Sequence, residues 1–373
     1  MNRIYFFANF GDWDKVPYGG GEVGNRRTLS FLKEGHFNVI AIPKYLRVEN
    51  HSFANLIKLG CKIIGNIFKF FLVLIFGTRK NSLVHIAGFY GPMIYFEYIL
   101  ISISKFLGYT SIYEMRGGGA DTYFKEGSIT YKKYFRKALL KSNVIFTQGL
   151  ENIPLIKQIN PDIEIFYYPN CVTKEFYPSQ YPEKPTNRIN LFYFGRISQT
   201  KNVNIVIDTF IELHSQFKNV FLSIVGNYND ENYMNSLKDK ITKNKLDNYI
   251  QIFPACNHEE LKKHLADKHF YIFPSTEPHE GHSNALTEAM AWGLIPIATP
   301  QGFNRSVINN DNLIVKELNC KEFAQIIASI IANNQITSLS LQMFERIMNY
   351  YTDKIVYQQL ITEYKQLFKQ MPQ

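Results

Sequence analysis

Apolar residues along this chain fall into two kinds of pattern: short, nearly continuous runs, and longer stretches in which they recur every three or four positions. Arg3 to Ala8 and Ile189 to Phe194 are runs of the first kind and predict buried strands. Each leads through a glycine-bearing turn into a stretch of the second kind. Gly19-Gly20-Gly21-Glu22 precedes a helical segment ending near Gly35-His36, after which Phe37 to Ile42 reads as the next strand. Gly195-Arg196 and Lys201 precede a helix whose apolar positions include Val203, Val206, Ile207, Phe210 and Leu213. Two β-loop-α openings in 373 residues, too many for one ordinary core, predict an α/β chain of two domains. Pro178, Pro182 and Pro185 interrupt the periodicity, so a hinge is expected over 171–187, between domains at 1–170 and 188–350.

The most informative stretch runs from Phe273 to Gly293. His269 to Phe273, closed by Pro274, predicts a buried parallel strand, and open α/β sheets hold ligands beyond the carboxyl ends of such strands. Ser283 or Asn284 suits the N-cap of the helix that follows, and Gly293 with Pro296 ends it. Backbone N–H groups of Gly281, His282, Ser283, Asn284 and Ala285 would then point at a phosphate. Glu280, in the loop, is placed for a sugar hydroxyl; Glu288, one turn into the helix, for a ribose diol. Taken singly, Glu288 also reads as an acid favoured by a helix dipole and Glu280 as a solvated loop acid. Arg196 and Lys201, a planar fork and a mobile point charge at a strand-to-helix turn, suit a diphosphate that no metal holds, or are two surface cations.

The string Pro274-Ser275, Glu280, Glu288-Ala289-Met290-Ala291, Gly293 and Pro296 resembles the signature of the retaining glycosyltransferases of family four (glycosyltransferase group 1), which have the GT-B fold. Gly195-Arg196 with Lys201, Pro169-Asn170-Cys171-Val172, Leu222 to Gly226 and Asn310 to Val315 extend the resemblance over residues 169 to 315. Asn202 and Cys171 stand where glycine is usual. The resemblance implies two Rossmann-like doubly wound domains facing across a cleft, an acceptor-binding first domain, a nucleotide-sugar-binding second domain, and a final helix, 351–373, that crosses back to the first. It also implies that Gly20 and Gly21 face the donor diphosphate, that Arg196 and Lys201 stabilise the leaving group, and that Glu280 orients the sugar. No protein nucleophile, cofactor or metal is expected.

Composition narrows the partners. Cys61, Cys171, Cys256 and Cys320 lack metal-ligand spacing, no His-Glu-x-x-His occurs, and the glycines do not follow the Gly-x-Gly-x-x-Gly of a nicotinamide enzyme. Asp12-Trp13-Asp14 matches the Asp-x-Asp of metal-dependent transferases in form, but it lies in a first loop, where solvated or acceptor-facing acids are expected. Residues 1–170 hold 21 Lys and Arg against 12 Asp and Glu, residues 171–373 hold 20 against 20, so the whole excess of +9 belongs to the first half. That half also contains the apolar segments Leu56 to Phe76 and Ile94 to Leu107, both short of the span needed to cross a bilayer, and the mixed cluster Tyr131 to Lys137. An anionic membrane surface is the expected partner, with no nucleic-acid module recognised; a core helix with one polar edge is the alternative for Leu56 to Phe76. With no signal peptide ahead of the first strand, the expected location is cytoplasmic, peripheral to the inner face of the cytoplasmic membrane.

The acceptor site is less legible. Glu114-Met115-Arg116-Gly117 follows a strand-like run where relatives carry His-Gly, and His85 closes the strand before it, so Arg116 and His85 are the candidates for acceptor contact. A guanidinium cannot act as a base. The expected function is transfer of a sugar from a nucleotide-diphosphate donor to a glycan acceptor, lipid-linked, in cell-surface polysaccharide assembly. A GT-B sugar-nucleotide epimerase and a catalytically silent nucleotide-sugar-binding protein are the other readings.

Overall fold

The computed structural model describes residues 2–15, 19–44 and 53–371. The chain divides into two compact units, one of residues 1–169 with 357–373, the other of residues 170–356.

Unit 1 carries strands β1 (Arg3–Ala8), β2 (Asn38–Pro43), β3 (Ser82–Gly88), β4 (Thr110–Met115), β5 (Val144–Thr147) and β6 (Glu164–Tyr167). Its helices are α1 (Gly20–Glu34), α2 (Phe53–Ile75), α3 (Ile94–Phe106), α4 (Ala120–Glu126), α5 (Ile129–Lys141) and α6 (Ile153–Ile159). All strand pairs are parallel, in the order β2-β1-β3-β4-β5-β6, with Arg3 opposite Asn38 on one side and Ser82 on the other. The two-residue period divides β1 between the faces of the sheet. Tyr5 and Phe7 enter the cluster formed with Phe70 of α2, Leu100 of α3 and Phe135 of α5, whereas Phe6 packs 4.8 Å from the ring of His85 on the other face. Gly20 and Gly21, expected in a loop, lie in the first turn of α1 with Gly19 as its N-cap.

Unit 2 carries β7 (Ile189–Phe194), β8 (Val220–Val225), β9 (Ile250–Phe253), β10 (Phe270–Phe273) and β11 (Ile295–Ala298), with helices α7 (Val203–Gln216), α8 (Glu231–Lys243), α9 (His258–Leu265), α10 (Asn284–Ala291), α11 (Asn304–Ile308), α12 (Cys320–Ala332) and α13 (Ile336–Tyr350). The last helix, α14 (Asp353–Gln370), begins in unit 2 and belongs to unit 1 from Tyr357. Parallel pairing in the order β11-β10-β7-β8-β9 makes β7 the strand from which the chain winds both ways, so the switch point lies between the carboxyl ends of β7 and β10. The stripe expected on α7 is buried in full. Gly226, just beyond β8, has no alternative: a Cβ there would overlap the carbonyl oxygen of Gly195.

The segment expected as a hinge is fastened to unit 2. Val172 bridges Thr352, Phe176 is buried and accepts through its carbonyl from the Trp292 indole at 3.1 Å, and Tyr181 donates to Ser340 at 2.8 Å. Beyond the Val172 bridge, the prolines that break periodicity leave the strap fastened by side chains and a single carbonyl rather than by a helix or a ladder. Lys184 of this strap donates to the carbonyls of Leu265 and Ala266, 3.3 and 3.1 Å away, and burial pushes its pKa down to about 7. Between about pH 7 and about pH 10 the unfolded chain keeps this proton while the folded chain has lost it, so stability rises with pH across that window. Replacing Lys184 by Met is expected to remove that slope. Melting temperatures of wild type and variant at pH 7 and pH 9 check it, and parallel responses would contradict it.

Candidate nucleotide-sugar site

The turn after β7 and the loop after β10 meet at the switch point of unit 2, and side chains hold them together. Lys201 ends a 3-10 turn, Gln199–Lys201, and its ammonium pairs with the Glu280 carboxylate, which also accepts from the Ser275 hydroxyl at 2.7 Å. Lys201 and Glu280 were expected to serve different parts of a donor; the structure brings them into one half-buried ion pair. Arg196 is exposed and makes no ion pair among the described residues.

Asn202 explains its own departure from glycine. Its backbone lies at φ 50°, ψ 45°, the left-handed region that asparagine tolerates better than other side chains. Its amide donates to the Pro274 carbonyl at 2.9 Å and the Thr276 hydroxyl at 2.8 Å, tying the two loops. Thr200 adds a bond to Glu277 at 2.8 Å, and Gln301 one to the Glu277 carbonyl at 2.9 Å. Thr299 donates to the Ser275 carbonyl at 2.6 Å. Gly302, at φ +62°, passes so close to the Glu280 carbonyl oxygen that any Cβ would overlap it. Sequence reasoning missed Thr200, Thr299, Gln301 and Gly302, because nothing in their local pattern marks contacts that span 22 to 77 residues.

Beyond Glu280 the chain enters α10 as expected. Ser283 is the N-cap and its hydroxyl accepts from the Leu286 N–H, 3.4 Å away. Asn170 donates to the His282 carbonyl at 2.8 Å, and the buried His282 ring meets Tyr351 edge-on at 5.2 Å. The side-chain oxygen of Asn284 is buried without a hydrogen-bond partner among the described residues. Glu288 faces a different neighbour from Glu280: its carboxylate lies 3.9 Å from His258, whose ring packs edge-on against Phe176 at 4.9 Å. The described residues of unit 2 therefore present a cation beside a carboxylate at the strand ends, a capped helix start with an unsatisfied acceptor, and a second carboxylate one turn on.

The acceptor candidates of unit 1 need correction. His85 lies in the middle of β3, which runs on to Gly88, and it is fully buried. Its Nδ1 meets the Tyr364 hydroxyl of α14 at 2.5 Å and its Nε2 meets Glu114 at 2.9 Å, so no ring nitrogen remains for an acceptor. Burial holds its pKa below the usual histidine value despite that carboxylate. Arg116 is 4% exposed; Nε bonds Glu114 at 2.7 Å and Nη2 bonds Thr28 at 3.1 Å, which leaves only Nη1 without a partner among the described residues. Burial alone would raise the Glu114 pKa, but Arg116 and His85 hold it below the usual carboxylate range. The two acceptor candidates are thus one buried network that locks α14 and α1 to the sheet. Asp12 pairs with Lys15 at 3.2 Å, and no group of three or more metal-ligating side chains occurs among the described residues.

The chain is thus an α/β protein of two parallel sheets, with a cation and a carboxylate paired at the switch point of the second. Residues 174–347 match the family model described as glycosyl transferases group 1. Over 191 residues the chain is 26% identical to an uncharacterized glycosyltransferase of Methanocaldococcus jannaschii, covering 51% of this chain and 47% of that protein. It is 28% identical over 200 residues to a probable sucrose-phosphate synthase of Thermosipho melanesiensis, covering 52% and 46%. Each match thus spans about half the length of the curated relative. Among solved structures, sucrose-phosphate synthase of Thermosynechococcus elongatus superposes with a TM-score of 0.73 at 15% identity over 100% of both chains. Anabaena HepE, solved in complex with UDP, superposes with a TM-score of 0.68 at 14% identity over 98% of this chain and all of its own. Residues 174–347 are thus similar to the group 1 glycosyltransferases, and the fold of the chain is GT-B.

Proposed function

We propose that the protein is a retaining glycosyltransferase that moves a sugar from a nucleotide-diphosphate donor to a glycan acceptor, lipid-linked, in cell-surface polysaccharide assembly, without a metal ion and at the inner membrane surface. The observation that carries the reading is the Lys201–Glu280 pair, held at the switch point by Ser275 and Asn202. A cation half-neutralised by a carboxylate is poised for a stronger anion: on donor binding Lys201 turns to the diphosphate, and Glu280, released, accepts from a sugar hydroxyl. Arg196, exposed on the same turn, adds the second positive charge. The N–H groups of Gly281 to Ala285 and the unsatisfied Asn284 oxygen receive the remaining polar atoms of the donor. Glu288 holds the ribose. Solved relatives are described in complex with UDP, in one case with glucose as well, which supports a uridine donor.

The test is a panel of nucleotide sugars with lipid-linked acceptors, read by release of nucleoside diphosphate and by the anomeric configuration of the product, with and without EDTA. Release that requires acceptor and survives chelation, with configuration retained, is the expected result. Inversion would remove the retaining assignment, and loss on chelation with rescue by a divalent ion would restore Asp12 and Asp14 as metal ligands.

Glu288→Gln separates the two carboxylates. It is expected to weaken free nucleoside diphosphate by about tenfold, since the product keeps the ribose, whereas Glu280→Gln chiefly lowers turnover. Calorimetric titration checks this, and an unchanged affinity in Glu288→Gln contradicts the ribose assignment.

A further inference from the structure

The helices α2, α3 and α5 run side by side across one face of the unit 1 sheet, and each buries one side in the same core. The opposite sides of α2 and α3 are not polar, as helices bathed in water normally are, and that of α5 is cationic with an apolar residue at each end. On α2, Ile57, Ile64, Phe68 and Ile75 are exposed, and separations of seven, eleven and eighteen residues return each to the same side of a 3.6-residue helix. Ile64 and Phe68 are 68% and 61% exposed, and Phe76, immediately after the helix, 86%. On α3, Tyr95, Ile99 and Phe106 make a second such stripe, ending on a phenylalanine 85% exposed. On α5, Ile129 and Leu140 stand at the two ends of a stripe whose middle is Lys133 and Arg136. The core already has Phe70 and Leu74 from α2, so the outer stripe is a second apolar surface, not a misplaced core face.

Charge decides what covers it. Lys58, Lys62 and Lys69 flank the α2 stripe and that helix has no acid; α5 carries Lys132, Lys133, Arg136, Lys137 and Lys141 and no acid. The only carboxylate on α3, Glu97, is fully buried, bound to the Tyr113 hydroxyl and the Phe89 and Tyr90 N–H groups. Where α3 and α5 touch, Tyr134 packs edge-on against Tyr95 and Tyr98, both at 5.2 Å, and Lys141 lies 5.0 Å over the Tyr98 ring, so the joint between the helices is itself a band of aromatics and cations. A second copy of the same face would bring cations against cations. None of these helices is long and apolar enough to cross a bilayer.

We propose that the outer face of α2, α3 and α5 docks on an anionic lipid leaflet, with Phe68, Phe76 and Phe106 entering the acyl boundary and the flanking lysines held at the headgroups. Apolar burial and cation–headgroup attraction act together there, as they do for interfacial helices. The proposal rests on the membrane association proposed above and assigns it a surface and a lipid chemistry.

Flotation of the full chain with phosphatidylcholine vesicles, with and without phosphatidylglycerol, at low and high salt, tests it. Binding is expected only with phosphatidylglycerol, weakening as salt rises. Replacing Lys132, Lys133, Arg136 and Lys137 by Gln should lower partitioning at least about a hundredfold, taking each cation's share as a factor of several. Phe106→Ser, at an exposed helix end that the fold does not use, should lower it by about tenfold. Failure of the wild type to float, equal flotation on the uncharged vesicles, or variants that float like wild type would overturn the proposal. So would a dimer abolished by Phe106→Ser in a protein that ignores vesicles. Nucleoside diphosphate affinity, measured on the same samples, keeps the two readings apart: flotation without nucleotide binding retires the transferase, and nucleotide binding without flotation retires the docking face.

Discussion

Lys201→Ala is expected to lower kcat/KM for the donor by one to two orders of magnitude, roughly the 1.5–3 kcal/mol of a charged hydrogen bond converted to rate. The lysine is partly buried beside Glu280, so its loss has two consequences. The leaving diphosphate loses a positive charge in the step where negative charge grows on it. Glu280, without its partner, becomes a lone carboxylate at the mouth of an anion site and repels the donor. Arg196→Ala removes a more exposed charge and is expected to cost less. The double variant Lys201→Ala with Glu280→Gln should recover donor affinity relative to Lys201→Ala alone without recovering turnover. Steady-state kinetics and nucleotide titration on the three proteins check this, and a Lys201→Ala enzyme with wild-type kinetics would place the diphosphate elsewhere.

The largest effect on stability is expected from Arg116→Met. Removing the guanidinium leaves Glu114 wholly buried with only His85 on its far oxygen, and breaking a buried pair from one side costs about 3–5 kcal/mol. The pH dependence has a definite sign. Glu114 has a depressed pKa in the folded chain, so its contribution is present above the ordinary carboxylate value of about 4 and is lost as pH falls below it. Urea unfolding at pH 7 should therefore show a large loss for Arg116→Met, shrinking toward pH 4, and Glu114→Gln in the same chain should restore part of it. A loss below about 1 kcal/mol at pH 7 would show that the network contributes nothing beyond packing.

Much of the frame was legible because it depends on local periodicity. β1 and β7 lie where short, largely apolar runs put them, and the five apolar positions read on α7 are all buried. The N-cap at Ser283 follows from a hydroxyl standing before an Ala-rich stretch, and it is observed. What failed depended on partners remote in sequence. His85 looked like a strand end because the small residues Ala87 and Gly88 conceal three more residues of ladder, and its real partner, Tyr364, is 279 residues away. For the strap after Pro169, expected as a hinge because prolines stop helices and ladders, the fastening by Tyr181, Lys184 and the Phe176 carbonyl likewise depends on partners far along the chain. The Lys201–Glu280 pair was half legible: each residue was marked by its motif, but that they neutralise one another required the two loops to be seen side by side. For Leu56 to Phe76 the sequence offered two readings, a core helix with a polar edge and an interfacial one. The exposed row of Ile57, Ile64, Phe68 and Ile75 belongs to neither a polar edge nor the core.

The central claim is that the β7–β10 switch point of unit 2 holds a nucleotide diphosphate through Lys201 and Glu288, and titration calorimetry of UDP into wild type, Lys201→Ala and Glu288→Gln tests it most directly. Saturable one-to-one binding to wild type, weakened about tenfold or more in each variant, is the predicted result. Binding of equal strength in all three proteins would contradict it.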